Sequence, residues 1–484
     1  MARIDGDPSV AAAPVGYLLL IIVYSVAQIA LGLWVARRVR GARDFFVAGR
    51  ALGPGLLFAT LLAANIGGGS TIGATGLGYR DGLAAWWWVG SAAIGSVILA
   101  AWVGPRMWRV AAAHDLRTVG DFLEWRYDHR VRATVALLLW IGTVAILAGQ
   151  LIGIAWVLNV VIGLPKIAGC VIGAGVVTAY FGAGGLKSSA VVNVVQLSVK
   201  VLGFAIALPL ALAAVGGLDG LRAAIPDAAS WNPWESGRSG WMYVAMLTPA
   251  FIVSPGLLQK VYGARDPRAV RIGVGLNALG LFLYALVPTL LGMAARALDP
   301  GLPNHELALP MLFMHDVPFW VGALGLAAVF SAEVSAADAI LFMLATSLSQ
   351  DLYKRFVNPA ATDRQILVVA RAASIAGGLL GVFVALLSRT IVDALSIFYT
   401  LLGVSLFVPI VAGLFLRRPR ALDALAAIAG GVAVMIAAQA WNSGRPIGAF
   451  TPAMCGLSGA VIAFALTFLA GGRAPSSRPA PARS

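Results

Sequence analysis

The stretch Ala63-Ala64-Asn65-Ile66-Gly67-Gly68-Gly69-Ser70-Thr71 decides how this chain reads. It sits inside an apolar run over 54–78 that is long enough to cross a bilayer, since about 20 apolar residues span roughly 30 Å of hydrocarbon. Glycine weakens a helix by about 1 kcal/mol, so three in succession open it at membrane depth. Backbone groups freed there find no partner in lipid and must line a cavity or be buried in protein. A matching break lies in the run over 240–262. Pro249 is followed there by Ser254-Pro255-Gly256, and a helix-interior proline costs about 3 kcal/mol.

The composition around these breaks is that of a polytopic membrane protein. Of 484 residues, 60% are hydrophobic and 12% charged, half the usual charge, which excludes a soluble enzyme and a disordered chain. Apolar stretches fall near 14–36, 54–78, 83–105, 133–162, 166–183, 188–214, 240–262, 272–295, 317–349, 366–387, 390–416, 422–441 and 453–471. These are thirteen spans, counted from zero to twelve. The run over 14–36 exceeds a signal-peptide core, and its basic residues follow it, so it reads as a true span.

The net charge of +14 does not point to nucleic acid, because the bases lie between apolar runs. With the N-terminus outside, 26 of the 35 Lys and Arg fall on inner segments and 8 on outer ones, while acids show no bias. That is the positive-inside pattern, and it puts the C-terminus in the cytoplasm of a cell whose plasma (inner) membrane holds the chain. Residues 1–13 then form a periplasmic N-terminus, and 472–484, rich in Pro, Ser and Arg, a disordered cytoplasmic tail. No Gly-Lys dipeptide offers a phosphate loop, and His114, His129, His305 and His315 have no metal-ligand spacing. Cys170 and Cys455 lie in apolar segments and require no disulfide.

Spans one and six are five apart and cross in opposite directions. Two matched breaks at that interval are the mark of two inverted five-helix repeats with a site at the shared midplane. The fold class is therefore an all-α polytopic protein with a five-plus-five core: a first repeat over 50–214, a second over 240–416, the extra helix 14–36 before them and two helices over 422–471 after them.

Five separate pieces resemble the solute:sodium symporter family. They are Arg43-Asp44-Phe45-Phe46-Val47-Ala48-Gly49-Arg50, Ala63 to Gly69, Gly184-Gly185-Leu186-Lys187 to Gln196, Pro255-Gly256-Leu257-Leu258-Gln259-Lys260, and Ser331-Ala332-Glu333-Val334-Ser335-Ala336-Ala337-Asp338 followed by Asp351-Leu352-Tyr353-Lys354. The resemblance covers roughly 30–420 and implies symport of a small solute with sodium, held between helices one and eight and requiring no organic cofactor. Carried over by position, the sodium ligands are the carbonyls of Ala63, Ile66 and Ala332 and the hydroxyl of Ser335. Ala336 departs from the pattern, which has Ser or Thr there, and Asn193 stands where many members have aspartate.

Lys200 is seven residues from Asn193 and shares its face, with Gln196 between them. At 1.5 Å per residue, Lys200 lies about 18 Å from the inner end of its span, Asp338 about 16 Å and Ser335 about 21 Å from theirs. A midplane charge is expensive and is normally paired. Asp338 shares the face of Ser335 and is the expected partner of Lys200. The pair either ties helices five and eight together or takes part in coupling, supplying the positive charge that sodium supplies elsewhere. Glu333 points to another face and receives no role.

The opened helix one offers N–H groups to an anion. Gly67, Gly68, Gly69 and Ser70 are therefore expected to hold a solute carboxylate, with Lys200 adding charge and Thr71, Gln150, Ser254 and Tyr399 as further polar candidates. Ser254-Pro255-Gly256 replaces an Asn-Gln-Tyr run found in sugar-carrying relatives, which argues against a sugar and for an amino acid or organic acid. Trp86-Trp87-Trp88 is expected as an interfacial belt. The competing readings are a sensor or receptor domain built on a transporter fold, a channel, and an intramembrane enzyme. The last lacks any metal-binding or nucleophile–base pair in its spans.

Overall fold

The computed structural model describes residues 8–36, 48–181, 185–235, 240–441, 447 and 450–471. The segments 1–7, 37–47 and 472–484 lie outside the described residues, and with them much of the expected N-terminal segment, most of the 43–50 motif and the tail. Described residues form helices and turns, with only two isolated bridges, Leu52 to Ala264 and Ile447 to Phe450.

The helices are α1 (Pro8–Ala36), α2 (Pro54–Asn65), α3 (Ile72–Asp81), α4 (Trp86–Ile98), α5 (Gly104–Ala113), α6 (Val119–Arg126), α7 (His129–Ile162), α8 (Lys166–Phe181), α9 (Gly185–Ala214) and α10 (Gly217–Ala224). They continue with α11 (Gly240–Val253), α12 (Pro255–Tyr262), α13 (Pro267–Tyr284), α14 (Leu286–Leu298), α15 (Ala308–Met311), α16 (Phe319–Thr346), α17 (Asp363–Leu387), α18 (Ile391–Phe415), α19 (Ala421–Trp441) and α20 (Pro452–Gly471). Local chemistry sets several ends. Asp128 caps α7 by accepting from Arg130 N and Val131 N, and Gly163 closes it in the left-handed conformation at φ 69. Thr118 and Asp121 form a capping box on α6, as Thr362 and Gln365 do on α17.

Among the described residues ten helices are long and apolar enough to cross a membrane, and three shorter apolar ones cover Val15–Gln28, Pro54–Asn65 and Lys166–Ala179. Pro54–Asn65 is short because the expected break cuts it. Ile66 leaves helical geometry at ψ 87, Gly67 is extended, Gly68–Ser70 make one 3-10 turn, and α3 starts at Ile72. The second break is confined to Ser254, at ψ 121, and α12 begins on Pro255. Pro249 does not interrupt α11.

The segments expected as loops hold short helices: α5 and α6 within 106–132, α10 within 215–239, and α15 within 296–316. Helices α2 and α3 pack on α13 and α14, α9 runs along α16, and α18 runs along α7. The helix α16 is buried along nearly its whole length, which puts Glu333, Ser335 and Asp338 at the centre of the molecule.

Candidate functional site

A helix break leaves carbonyls without their i+4 partners. In α2 the last regular bond is Ile66 N to Leu62 O, so the carbonyls of Ala63 and Ile66 are free for other donors. Both accept from Lys200 Nζ, at 2.5 Å and 2.8 Å. The third acceptor of that ammonium is Ser335 Oγ, at 2.5 Å. Ser335 Oγ in turn lies 2.9 Å from Ala63 O and 3.1 Å from Ala332 O. All four residues expected around a cation therefore converge, and the cation among them is the side chain of Lys200, which is fully buried. An ammonium has three donors, and three acceptors meet them.

Asp338 is not the partner of Lys200. Its charge acts on Lys260 of α12, and the acid whose charge reaches Lys200 is Glu333. Asp338 shares the face of Ser335 but lies a turn further along α16, and Lys200 Nζ meets Ser335 and the opened α2 instead. The polar stripe on α9 continues in Asn193, whose Nδ2 donates to Thr60 Oγ1 of α2 at 2.9 Å.

Glu333, left without a role, ties α16 to the opened segment. Its Oε1 accepts from Thr71 Oγ1 at 3.1 Å. Its carboxylate fits where two side chains are missing: a methyl at Gly68 would stand 2.5 Å from Oε2, and one at Gly153 2.6 Å from Cδ. The N–H of Gly68 donates to Gln150 Oε1 at 2.7 Å.

A central cavity of about 70 Å³ opens beside the two breaks. Of the residues expected to face the solute, Gly67, Gly69, Ser70, Gln150, Ser254 and Tyr399 line it. Gly68, Thr71 and Lys200 do not. The opened N–H groups are also largely committed: Gly68 to Gln150, and Ser70 and Thr71 to Gly67 O. The 3-10 turn that follows the break satisfies them locally, so the expected carboxylate cradle on helix one is not open. The hydroxyl of Ser70 donates to Asn65 O at 2.6 Å. The sequence reading missed Lys260, Phe251 and Phe398, which also line the cavity. The only signal for Lys260 was its place in the motif at the end of span six.

Trp88 is not part of an interfacial belt. It is 4% exposed, donates from Nε1 to Gly69 O at 2.7 Å, and packs edge-on against Tyr243 and Tyr399. It braces the opened helix from the side of α4.

An ionic cluster closes one end of the bundle. Arg132 of α7 pairs with Asp121 at 2.9 Å, Glu124 at 2.8 Å and Asp351 at 2.8 Å. Glu124 of α6 also pairs with Arg355, and although burial opposes it, the two arginines hold its carboxyl below the usual range. Elsewhere Glu306, in the segment between α14 and α15, accepts from Ile391 N at 2.6 Å and Trp156 Nε1 at 3.0 Å, and burial pushes its carboxyl up to about 7.

This geometry has counterparts among known proteins. The high-affinity choline transporter 1 of Caenorhabditis elegans is 22% identical over 87% of this chain and 77% of its own length. The sodium/glucose cotransporter of Vibrio parahaemolyticus is 25% identical over 74% and 72%. The sodium/pantothenate symporter of Escherichia coli is 26% identical over 69% and 72%. The outward-open structure of a Na⁺-coupled sialic acid symporter superposes with a TM-score of 0.78 at 18% identity, over 93% of this chain and 97% of that one. A nucleobase-cation-symport-1 family transporter gives a TM-score of 0.58. The fold is thus that of an inverted-repeat transporter, and these proteins are transporters rather than enzymes. The profile of the sodium:solute symporter family matches residues 45–431, well over half of the chain, and the chain belongs to that family.

Proposed function

We propose that this protein is a secondary active transporter that carries a small, carboxylate-bearing organic solute, an amino acid or organic acid, through the central cavity. Its coupling ion is a proton carried on the amine of Lys200, in place of a sodium ion between helices one and eight. The observation that carries this reading is the convergence of Lys200 Nζ on Ala63 O, Ile66 O and Ser335 Oγ. A sodium ion needs those same oxygens. Two unit charges 4 Å apart repel by about 4 kcal/mol at an effective dielectric of 20, so the lysine and the ion exclude one another. The loss of a hydroxyl at Ala336 and of a carboxylate at Asn193 fits a site that no longer holds a metal.

In this reading Lys200 keeps the bonds of the opened helix satisfied in one state and releases them in the other, gaining and losing its proton as the cavity turns from one side to the other. The chain runs N-terminus outside and C-terminus cytoplasmic in the plasma membrane, with 50–214 and 240–416 as its two repeats. Uptake into proteoliposomes tests the coupling. It should persist without sodium and respond to an imposed pH gradient. Lys200→Ala should abolish that response, and Lys200→Arg, which fixes the charge, should stall turnover. A saturable sodium requirement with no effect of pH overturns the reading and returns the protein to sodium symport, the default of its family.

A further inference from the structure

Lys260 is a second buried cation at the centre of the molecule, and its surroundings differ from those of Lys200. It lies on α12, two turns past the break at Ser254, is 4% exposed, and lines the central cavity. Lys200 has three oxygen acceptors. Among the described residues the ammonium of Lys260 has no hydrogen bond and no ion pair, and it opens onto the cavity. The acid whose charge it feels is Asp338, which does not pair with it and is engaged by another group. Its neighbour Gln259 is turned away, donating to Thr346 Oγ1 at 3.2 Å.

A desolvated ammonium without acceptors is costly, and such charges are normally paired or hydrogen-bonded. The acceptor positions that Lys260 lacks are what a carboxylate in the cavity would bring. No other cationic side chain lines the cavity among the described residues. The N–H groups of Gly68, Ser70 and Thr71 are taken, and Lys200 does not reach the cavity. The wall carrying Phe251, Phe398 and Tyr399 is aromatic and suits an apolar body.

We propose that Lys260 anchors the anionic group of the solute, and that the solute is a small organic monocarboxylate held with its carboxylate on α12 and its body against the aromatic wall. This rests on the central cavity being the transport site. One cation without a partner neutralises one negative charge, so a dianion would bring an uncompensated charge into a desolvated space.

Thermal-shift titration of the purified protein tests the proposal with pairs that trade a carboxylate for an uncharged group: pyruvate and methyl pyruvate, nicotinate and nicotinamide, pantothenate and panthenol, together with the dianion succinate. At least one monocarboxylate should stabilise the protein, with its neutral twin and succinate at least about tenfold weaker. Lys260→Gln should weaken the stabilising carboxylate by about tenfold or more, and Lys260→Arg should retain most of it. The melting temperature of each variant without ligand shows that it folds.

Stabilisation by no carboxylate, equal stabilisation by a neutral twin, or binding unchanged in Lys260→Gln each overturns the proposal. The transport reading is scored apart from it, by Tyr399→Ala on whichever solute binds. A neutral or cationic solute whose binding is lost in Tyr399→Ala keeps the cavity as the transport site and removes only the anion assignment. A bound solute indifferent to Tyr399→Ala removes the cavity itself.

Discussion

Replacing Lys200 with alanine removes an ammonium and leaves Ala63 O, Ile66 O and Ser335 Oγ facing an empty space. Each charge-assisted hydrogen bond contributes about 1.5–3 kcal/mol, and breaking a buried charged network by deleting one partner costs roughly 3–5 kcal/mol. The variant should therefore melt well below the wild type in a buffer without sodium. The vacated space is lined by two carbonyls and a hydroxyl, the oxygens a sodium ion takes. Lys200→Ala should consequently gain a sodium-dependent stabilisation that the wild type lacks, about 2.7 kcal/mol at a sodium concentration one hundred times the dissociation constant. Lys200→Met supplies the control. Its side chain fills the same space without a charge, so it should be destabilised and gain nothing from sodium.

The assay is thermal unfolding of purified protein in sodium chloride against choline chloride at constant ionic strength. Saturable stabilisation of the wild type by sodium, with no further gain in Lys200→Ala, would refute the reasoning. It would mean that the ion binds elsewhere and that the lysine only ties helices together.

Three further outcomes follow from the geometry. Gly153→Ala puts a methyl 2.6 Å from Glu333 Cδ against a packed helix, and should cost about 1–3 kcal/mol and reduce uptake, whereas Gly175→Ala, with open space around it, should be near neutral. Asp351→Asn breaks the pairing of Asp351 with Arg132 and should destabilise the joint between α6, α7 and the helical segment Ser347–Val357 that follows α16 by several kcal/mol, read as loss of hydrogen-exchange protection in 118–132. Glu306 titrates near 7 when folded against 4.5 as its ordinary value, chiefly through burial. The folded chain thus holds that proton more tightly, and stability should fall as pH rises from about 4.5 to about 7, by roughly 2–3 kcal/mol at most. In Glu306→Gln the slope over that window should flatten. An unchanged slope would assign the pH dependence to other groups.

The sequence by itself determined the class and the two breaks. Those readings rest on properties local to the chain: apolar length, the helix cost of Gly67–Gly69 and Ser254-Pro255, and motifs of a few residues. Ala63, Ile66, Ala332 and Ser335 are named by the resemblance of their motifs to the family, and the structure brings these four together around Lys200. Lys200 as the charge among them is legible in the polar stripe of its helix, but which groups meet its ammonium is not, because that depends on how α9 and α16 rotate and slide where they cross the opened segment. Ser335 and Asp338 are three residues apart, about 60° around the helix and about 4.5 Å along it, and that offset separates a Lys200 facing Asp338 from one facing Ser335 and the broken helix. The same applies to Lys260, whose side chain reads in sequence as a flank of span six. Only the packing of α12 on the centre turns it into the cavity, where it has no hydrogen bond or ion pair among the described residues.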